Sequence, residues 1–178
     1  NKTKDLFFGI SHGVNYGKLK KNTNDDRLMF VENLIKFSQN KVNFHFLGFY
    51  DEQPKWNFNF NNEIKICKTA LNLSRGGPTK YCSSNRIASL MGNGILPFIH
   101  KDVRYQDFFD NDEIETYTSD KDLMNKLINI KDDSNKLRMR SKNAKKRYFD
   151  LFECQIVSDF IISKIFDTKK KFKFIWDK

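Results

Sequence analysis

The residues most able to do chemistry lie together in the segment SRGGPTKYCSSNRIASLMGNG, at positions 74–94. This segment holds three cations, Arg75, Lys80 and Arg86, and four of the eight glycines of the chain. Lysine and arginine form charge-assisted hydrogen bonds with phosphate, and the arginine fork can donate two at once. The segment therefore has the composition of an anion-binding site.

The second half of this segment has the pattern of a helix start. Ser83 and Ser84 stand where N-cap residues belong, and Asn85 and Arg86 fall in the first turn. A helix start offers free N–H groups and a positive dipole end to a phosphate. Ser89 follows on the same face as Arg86, where its hydroxyl could reach a sugar or ribose. A simpler interpretation stays open, in which the serines only cap the helix and the glycines only turn the chain.

Short apolar runs that alternate with helical patterns must position this segment. Such alternation predicts an α/β fold, a Rossmann-like parallel sheet of about five strands with helices on both faces. In such sheets ligands bind outside the carboxyl ends of the strands. His100 follows the fourth expected strand, and the segment 74–94 follows the third. The expected strands are 5–10, 42–47, 70–73, 95–99 and 114–117.

The length of 178 residues suits one domain, which we place at 1–166, with a basic tail at 167–178. The net charge is +10, but only 142–147 and 169–173 are dense in cations. Neither run carries the regular aromatics of a single-strand binder, so we expect no nucleic-acid partner. A basic surface also suits a small phosphate ligand or peripheral contact with an anionic membrane. No apolar run approaches the length of a membrane span, and we expect a cytoplasmic protein.

Metal-binding patterns are weak in this sequence. The three cysteines and three histidines lack metal-ligand spacing, and we expect the cysteines to be unpaired thiols. Asp110-Asn-Asp112 imitates the acidic pair of metal-using sugar transferases, but we assign it to a turn before the fifth strand. No Walker loop and no glycine-rich dinucleotide fingerprint is present. We therefore expect no metal and no cofactor.

Three stretches together resemble a known family. LNLSR, SSNRIASLMGNGILPFI and DFFDNDEIETYTSDKDLMNKL are similar to the donor-binding, C-terminal half of GT-B glycosyltransferases. The nearest pattern is that of the spore-maturation-protein-like group, related to the group 1 glycosyl transferases. The similarity runs from Leu71 to Leu127 and extends more loosely to the first strand, the helix start at Asp26 and the terminal helices.

This resemblance implies that the substrate is a nucleotide-diphosphate sugar, and that no metal is obligatory. Its diphosphate would lie near the helix start, and its base near the loops after the second and third strands. Asn85 and Arg86 match the family motif, whereas Ser89 stands where many members place a glutamate that holds the ribose. Arg75, Lys80 and Arg86 would stabilise the leaving diphosphate.

The resemblance also implies partners beyond the sugar donor. It implies an acceptor glycan, lipid or protein, an N-terminal acceptor domain outside this chain, and a role in cell-surface polysaccharide biosynthesis. The serine at position 89 leaves an alternative open. In that alternative the chain is a degenerate, non-catalytic Rossmann-like module that binds an acidic partner or a membrane surface.

Overall fold

The computed structural model describes residues 2–10, 26–50, 52–82 and 84–177. Its centre is one five-stranded sheet in the order β2-β1-β3-β4-β5, in which every neighbouring pair is parallel. The expected α/β class with about five parallel strands is therefore confirmed. The strands are β1 Lys4–Gly9, β2 Phe44–Leu47, β3 Cys67–Asn72, β4 Leu96–His100 and β5 Glu115–Tyr117.

Helices cover both faces of this sheet. On one face α1 packs against α4, and the side-chain amide of Asn33 donates to Asp120 Oδ2 across 2.7 Å. On the other face α3 packs against α5 and α2 against β3. The helices are α1 Arg27–Ser38, α2 Asn57–Lys65, α3 Asn85–Gly92, α4 Asp120–Ile130, α5 Ser134–Phe152 and α6 Cys154–Phe166.

The alternation of side chains along β1 explains why both faces are covered. Leu6 and Phe8 belong to the apolar cluster beneath α1 and α4, whereas Phe7 belongs to the cluster beneath α2 and α3. All three side chains are fully buried. A parallel strand with apolar residues on both faces must be covered on both, and helices lie over both faces of β1.

One expected helix differs from the structure. The asparagines at positions 61 and 62 predict the start of a helix that ends near residue 68, but α2 spans Asn57–Lys65 and β3 begins already at Cys67. The reason is tertiary: Phe60 packs edge-on against Phe7, and Ile64 one turn later is fully buried. Two apolar residues four apart place the helix where both can face the sheet.

The carboxyl-terminal helices are tied to the sheet by a buried arginine. Arg140 of α5 donates to Glu115 Oε2 across 2.7 Å and also to the carbonyl oxygens of Asn111 and Ile114. Beyond α6, Phe174 is buried and the ring of Trp176 stacks on Phe152 at 5.2 Å. The division into a domain at 1–166 and a tail at 167–178 stays a prediction.

Candidate functional site

The sheet order creates a crevice between β1 and β3. The chain runs from β1 outward to β2 and then returns past β1 to β3, so the connections on either side of β1 leave in opposite directions. In open α/β sheets this reversal opens a ligand crevice at the carboxyl ends of the strands. A cleft of about 630 Å³ lies there, against Gly9 and Ile10 at the end of β1. We call it the carboxyl-edge cleft.

Arg86 is the only arginine among the described residues that line this cleft. One terminal nitrogen of its guanidinium donates to the carbonyl oxygen of Leu73 across 2.9 Å, which ties the side chain to the end of β3. The guanidinium carbon also lies 5.0 Å from the centre of the Phe8 ring, a cation–π distance. These two contacts hold the guanidinium fork in place at the mouth of the crevice.

The charge on Arg86 is disfavoured by its surroundings. Burial, with a smaller contribution from the positive charge of Arg27, lowers the pKa of Arg86 to about 10. The group stays protonated at neutral pH, although burial and the neighbouring positive charge of Arg27 both disfavour its charged form. A bound phosphate would reverse both effects, because an opposite charge nearby favours the protonated form.

The start of α3 borders the same cleft. Ser84, in extended conformation, is the N-cap residue, yet its hydroxyl makes no capping bond and lies 3.2 Å from Asn72 Oδ1. The first N–H groups of α3 therefore have no side-chain cap within the described part of the chain. Asn85 and Ser89 line the cleft on the same helix. Free helix-start N–H groups beside an arginine form an environment suited to phosphate.

The opposite wall comes from the segment after β2, which carries none of the site residues expected from the sequence. Lys55, Trp56, Asn57, Phe60 and Asn61 all line the cleft. Trp56 is 56% exposed, so one ring face is free to meet a planar ligand. The available signal was topological: once β2 lies beside β1, the residues after β2 must reach the same edge of the sheet.

Lys55 is held in place by a short chain of polar contacts. Its ammonium group contacts Glu63 Oε1, while the other carboxylate oxygen of Glu63 lies 2.6 Å from His45 Nε2 on β2. The hydrogen bond from Lys55, and more weakly that from His45, lowers the pKa of Glu63. Glu63 therefore stays ionised and fixes a cation at the wall of the cleft.

The other site residues expected from the sequence lie elsewhere. Lys80 is exposed, with its ammonium 4.8 Å from the centre of the Tyr81 ring, and neither it nor Arg75 lines the cleft. His100 ends β4, where its Nδ1 accepts the backbone N–H of Asp102 and its ring meets Tyr117 edge-on. Ser83 lies outside the described residues. The structure thus brings together Ser84, Asn85, Arg86 and Ser89, and the ligand contacts of all eight residues stay predictions.

In the described part of the chain, one set of carboxylates lies close enough together to share a cation. It consists of Asp110, Asp112 and Glu113. It forms a turn before β5, as expected: the backbone N–H of Asp110 donates to the Glu113 carboxylate. It does not border the carboxyl-edge cleft. The cleft itself is lined, as far as it is described, by no carboxylate, histidine or cysteine.

The fold and the cleft define a class, the α/β proteins that bind ligands at a topological switch point. The sequence profile of the family described as "Glycosyl transferase-like" matches residues 27–163. The chain belongs to this glycosyl transferase-like family, and the resemblance noted above is confirmed at that level. No curated protein matches the chain significantly.

Among solved structures, spinosyn forosaminyltransferase SpnP is similar to this chain, with a TM-score of 0.48 and 14% identity. The match covers 82% of this chain and 39% of that structure, so this chain spans well under half of its length. No helix in the described residues is both long and apolar enough to cross a membrane.

Proposed function

We propose that this chain is the donor-binding part of a glycosyltransferase, and that the carboxyl-edge cleft holds the nucleoside diphosphate of a sugar donor. The single observation that carries this proposal is the setting of the Arg86 guanidinium. Its guanidinium is held at the switch point by Leu73 and Phe8, its pKa is lowered to about 10 by burial, and it borders an uncapped helix start. Such a charge is compensated by an anion bound beside it.

The proposed reaction is the transfer of a glycosyl group. A bond forms between an acceptor oxygen and the anomeric carbon, and the bond from that carbon to the diphosphate oxygen breaks. The electron pair of the broken bond stays on the nucleoside diphosphate, whose growing negative charge Arg86 and the start of α3 stabilise. The acceptor proton passes to a general base, which is not found among the described residues of the cleft.

The remaining walls suit the other parts of a nucleotide. Trp56 and Phe60 offer aromatic surfaces on which a base can stack. Ser89 and Asn61 supply neutral hydrogen-bonding groups for ribose or sugar hydroxyls. We therefore propose that the base lies toward the β2 side of the cleft and the diphosphate toward β3.

The charges at this cleft support transfer without an obligatory metal. Lys55 and Arg86 line it, and no described lining residue is a carboxylate that could hold a divalent cation. We further propose that a second domain binds the acceptor and supplies the general base. We also propose that the reaction takes place in the cytoplasm.

Isothermal titration with a panel of nucleoside diphosphates tests this proposal through Arg86→Met. Methionine retains an unbranched side chain against Phe8 but lacks the charge. We expect one nucleoside diphosphate to bind the wild type. The substitution should lower its affinity by about 10- to 100-fold, because charge-assisted hydrogen bonds are lost.

Lys101→Met is the matched control. It removes an exposed cation at the same edge of the sheet, outside the cleft, and is expected to change affinity less than about twofold. No binding to the wild type at millimolar concentration contradicts the proposal. Equal losses in the two variants also contradict it, and would favour a basic interaction surface instead.

A further inference from the structure

A second cleft lies at the opposite edge of the sheet. Its volume is about 710 Å³, within the range of roughly 300–1,000 Å³ that is usual for small-molecule sites. Lys2 precedes β1, Lys68 lies at the start of β3, and Gly94 precedes β4, so the cleft borders the amino ends of these strands. We call it the amino-edge cleft. Strands β1 and β3, each six residues and about 20 Å long, run from this cleft toward the carboxyl-edge cleft.

Five cations line this cleft, and no carboxylate is among its described lining residues. Arg138, Lys142 and Lys145 come from α5 at the spacing i, i+4, i+7, so one helix face presents all three. Lys2 and Lys68 approach from the sheet. Like charges three or four residues apart on a helix repel one another, so the arrangement is unfavourable without an anion.

Only one of the five cations has a carboxylate partner within the described parts of the chain. The ammonium of Lys68 lies 2.7 Å from Asp5 Oδ1 and also donates to the carbonyl oxygen of Lys131. Lys2 donates instead to the carbonyl oxygen of Gly94 across 3.4 Å, and its burial lowers its pKa. Four positive charges thus border the cleft without a carboxylate partner among the described residues.

We propose that the amino-edge cleft is a second anion site, which binds a small soluble ligand carrying two or more phosphate groups. Ser134, Ser141 and Asn93 add neutral hydrogen-bonding groups to its walls. Several cations around one cleft favour a compact, multiply charged anion over a single carboxylate. The two clefts share no lining residue, although Asn93 of the amino-edge cleft donates to Asn61 Oδ1 of the carboxyl-edge cleft across 3.3 Å.

Inorganic tripolyphosphate is the probe, titrated at constant ionic strength into protein carrying Arg86→Met, so that binding at the carboxyl-edge cleft is weakened. We expect binding, and we expect the double variant Arg138→Gln/Lys142→Gln to weaken it by about tenfold or more. The exposed pair Lys136→Gln/Lys146→Gln removes the same charge from the same helix outside the cleft. This control pair is expected to change affinity less than about twofold.

Circular dichroism confirms that each variant is folded, and Lys145→Gln gives a single-site check of the double variant. No tripolyphosphate binding in the Arg86→Met protein overturns the proposal. So does a loss that is equal in the two double variants, since it would mean diffuse attraction to a basic surface. If nucleoside diphosphates did not bind at the carboxyl-edge cleft, tripolyphosphate binding at the amino-edge cleft would still be expected. The two proposals can therefore fail separately.

Discussion

Arg86 couples ligand binding to folding at the scale of one residue. Its charge is partly desolvated and faces a second arginine, which lowers its pKa to about 10. The folded-state pKa lies below the value of 12.5 for a free arginine, so the unfolded chain holds this proton more tightly. An anion that binds only the folded protein offsets this cost, and it raises the free energy of unfolding as its concentration increases.

Ser89 stands where the family resemblance implies a glutamate that holds the ribose. Serine can donate to or accept from a ribose hydroxyl, but it lacks the two charged oxygens of a glutamate. We expect Ser89→Glu to tighten the binding of a ribonucleoside diphosphate several-fold, because the new carboxylate would accept from both ribose hydroxyls.

The 2′-deoxy nucleoside diphosphate is the control ligand for this variant, measured by the same titration. It lacks one hydroxyl, so the gain should be largely lost. Weaker binding of both ligands to Ser89→Glu would count against a ribose at this position, because it would show only repulsion between the carboxylate and the diphosphate.

At the scale of elements, the pairing of β2 with α2 positions one wall of the carboxyl-edge cleft. Glu63 of α2 links His45 on β2 to Lys55 in the connection between them. The charged hydrogen bond from Lys55 lowers the pKa of Glu63 below its usual value of 4.5. Lys55, one of the two cations that line the cleft, is thus held by Glu63 of α2, which also contacts β2.

Glu63→Gln tests this contact through its pH dependence. A lowered carboxyl pKa adds stability above about pH 4.5, and this stability is lost as the pH falls through the folded-state value. We expect the variant to lose about 1 kcal/mol of unfolding free energy at pH 7, the size of one partly exposed charged hydrogen bond. Denaturant unfolding should show this difference shrinking on acidification, and a difference that grows would contradict the assignment.

The elements were predictable where local sequence and burial agree. The alternation of apolar runs predicts five strands, and Ser119, of a residue type favoured at helix starts, caps α4 by accepting from the backbone N–H of Asp122. The start of α2 was not predictable, because it depends on Phe60 meeting Phe7 across the sheet. For the same reason the α2 wall of the cleft was missed: which strand ends adjoin is a property of sheet order, and sequence spacing does not carry it.

At the scale of the whole molecule, the sheet separates two basic clefts. The carboxyl-edge cleft lies at the switch point that the strand order creates, while the amino-edge cleft gathers cations from α5 and the strand starts. Part of the positive charge of this chain, whose net charge is +10, therefore lies at two clefts with different lining residues. A general basic surface would bind anions at neither edge selectively.

Hydrogen exchange with and without the best-binding nucleoside diphosphate tests the central claim most directly, because it locates the ligand. We predict slower exchange at residues 84–89 and 55–61, the two walls of the carboxyl-edge cleft, and no such protection in Arg86→Met. Protection confined to the amino-edge cleft, or no protection at millimolar ligand, would contradict the assignment of this chain as a donor-binding domain.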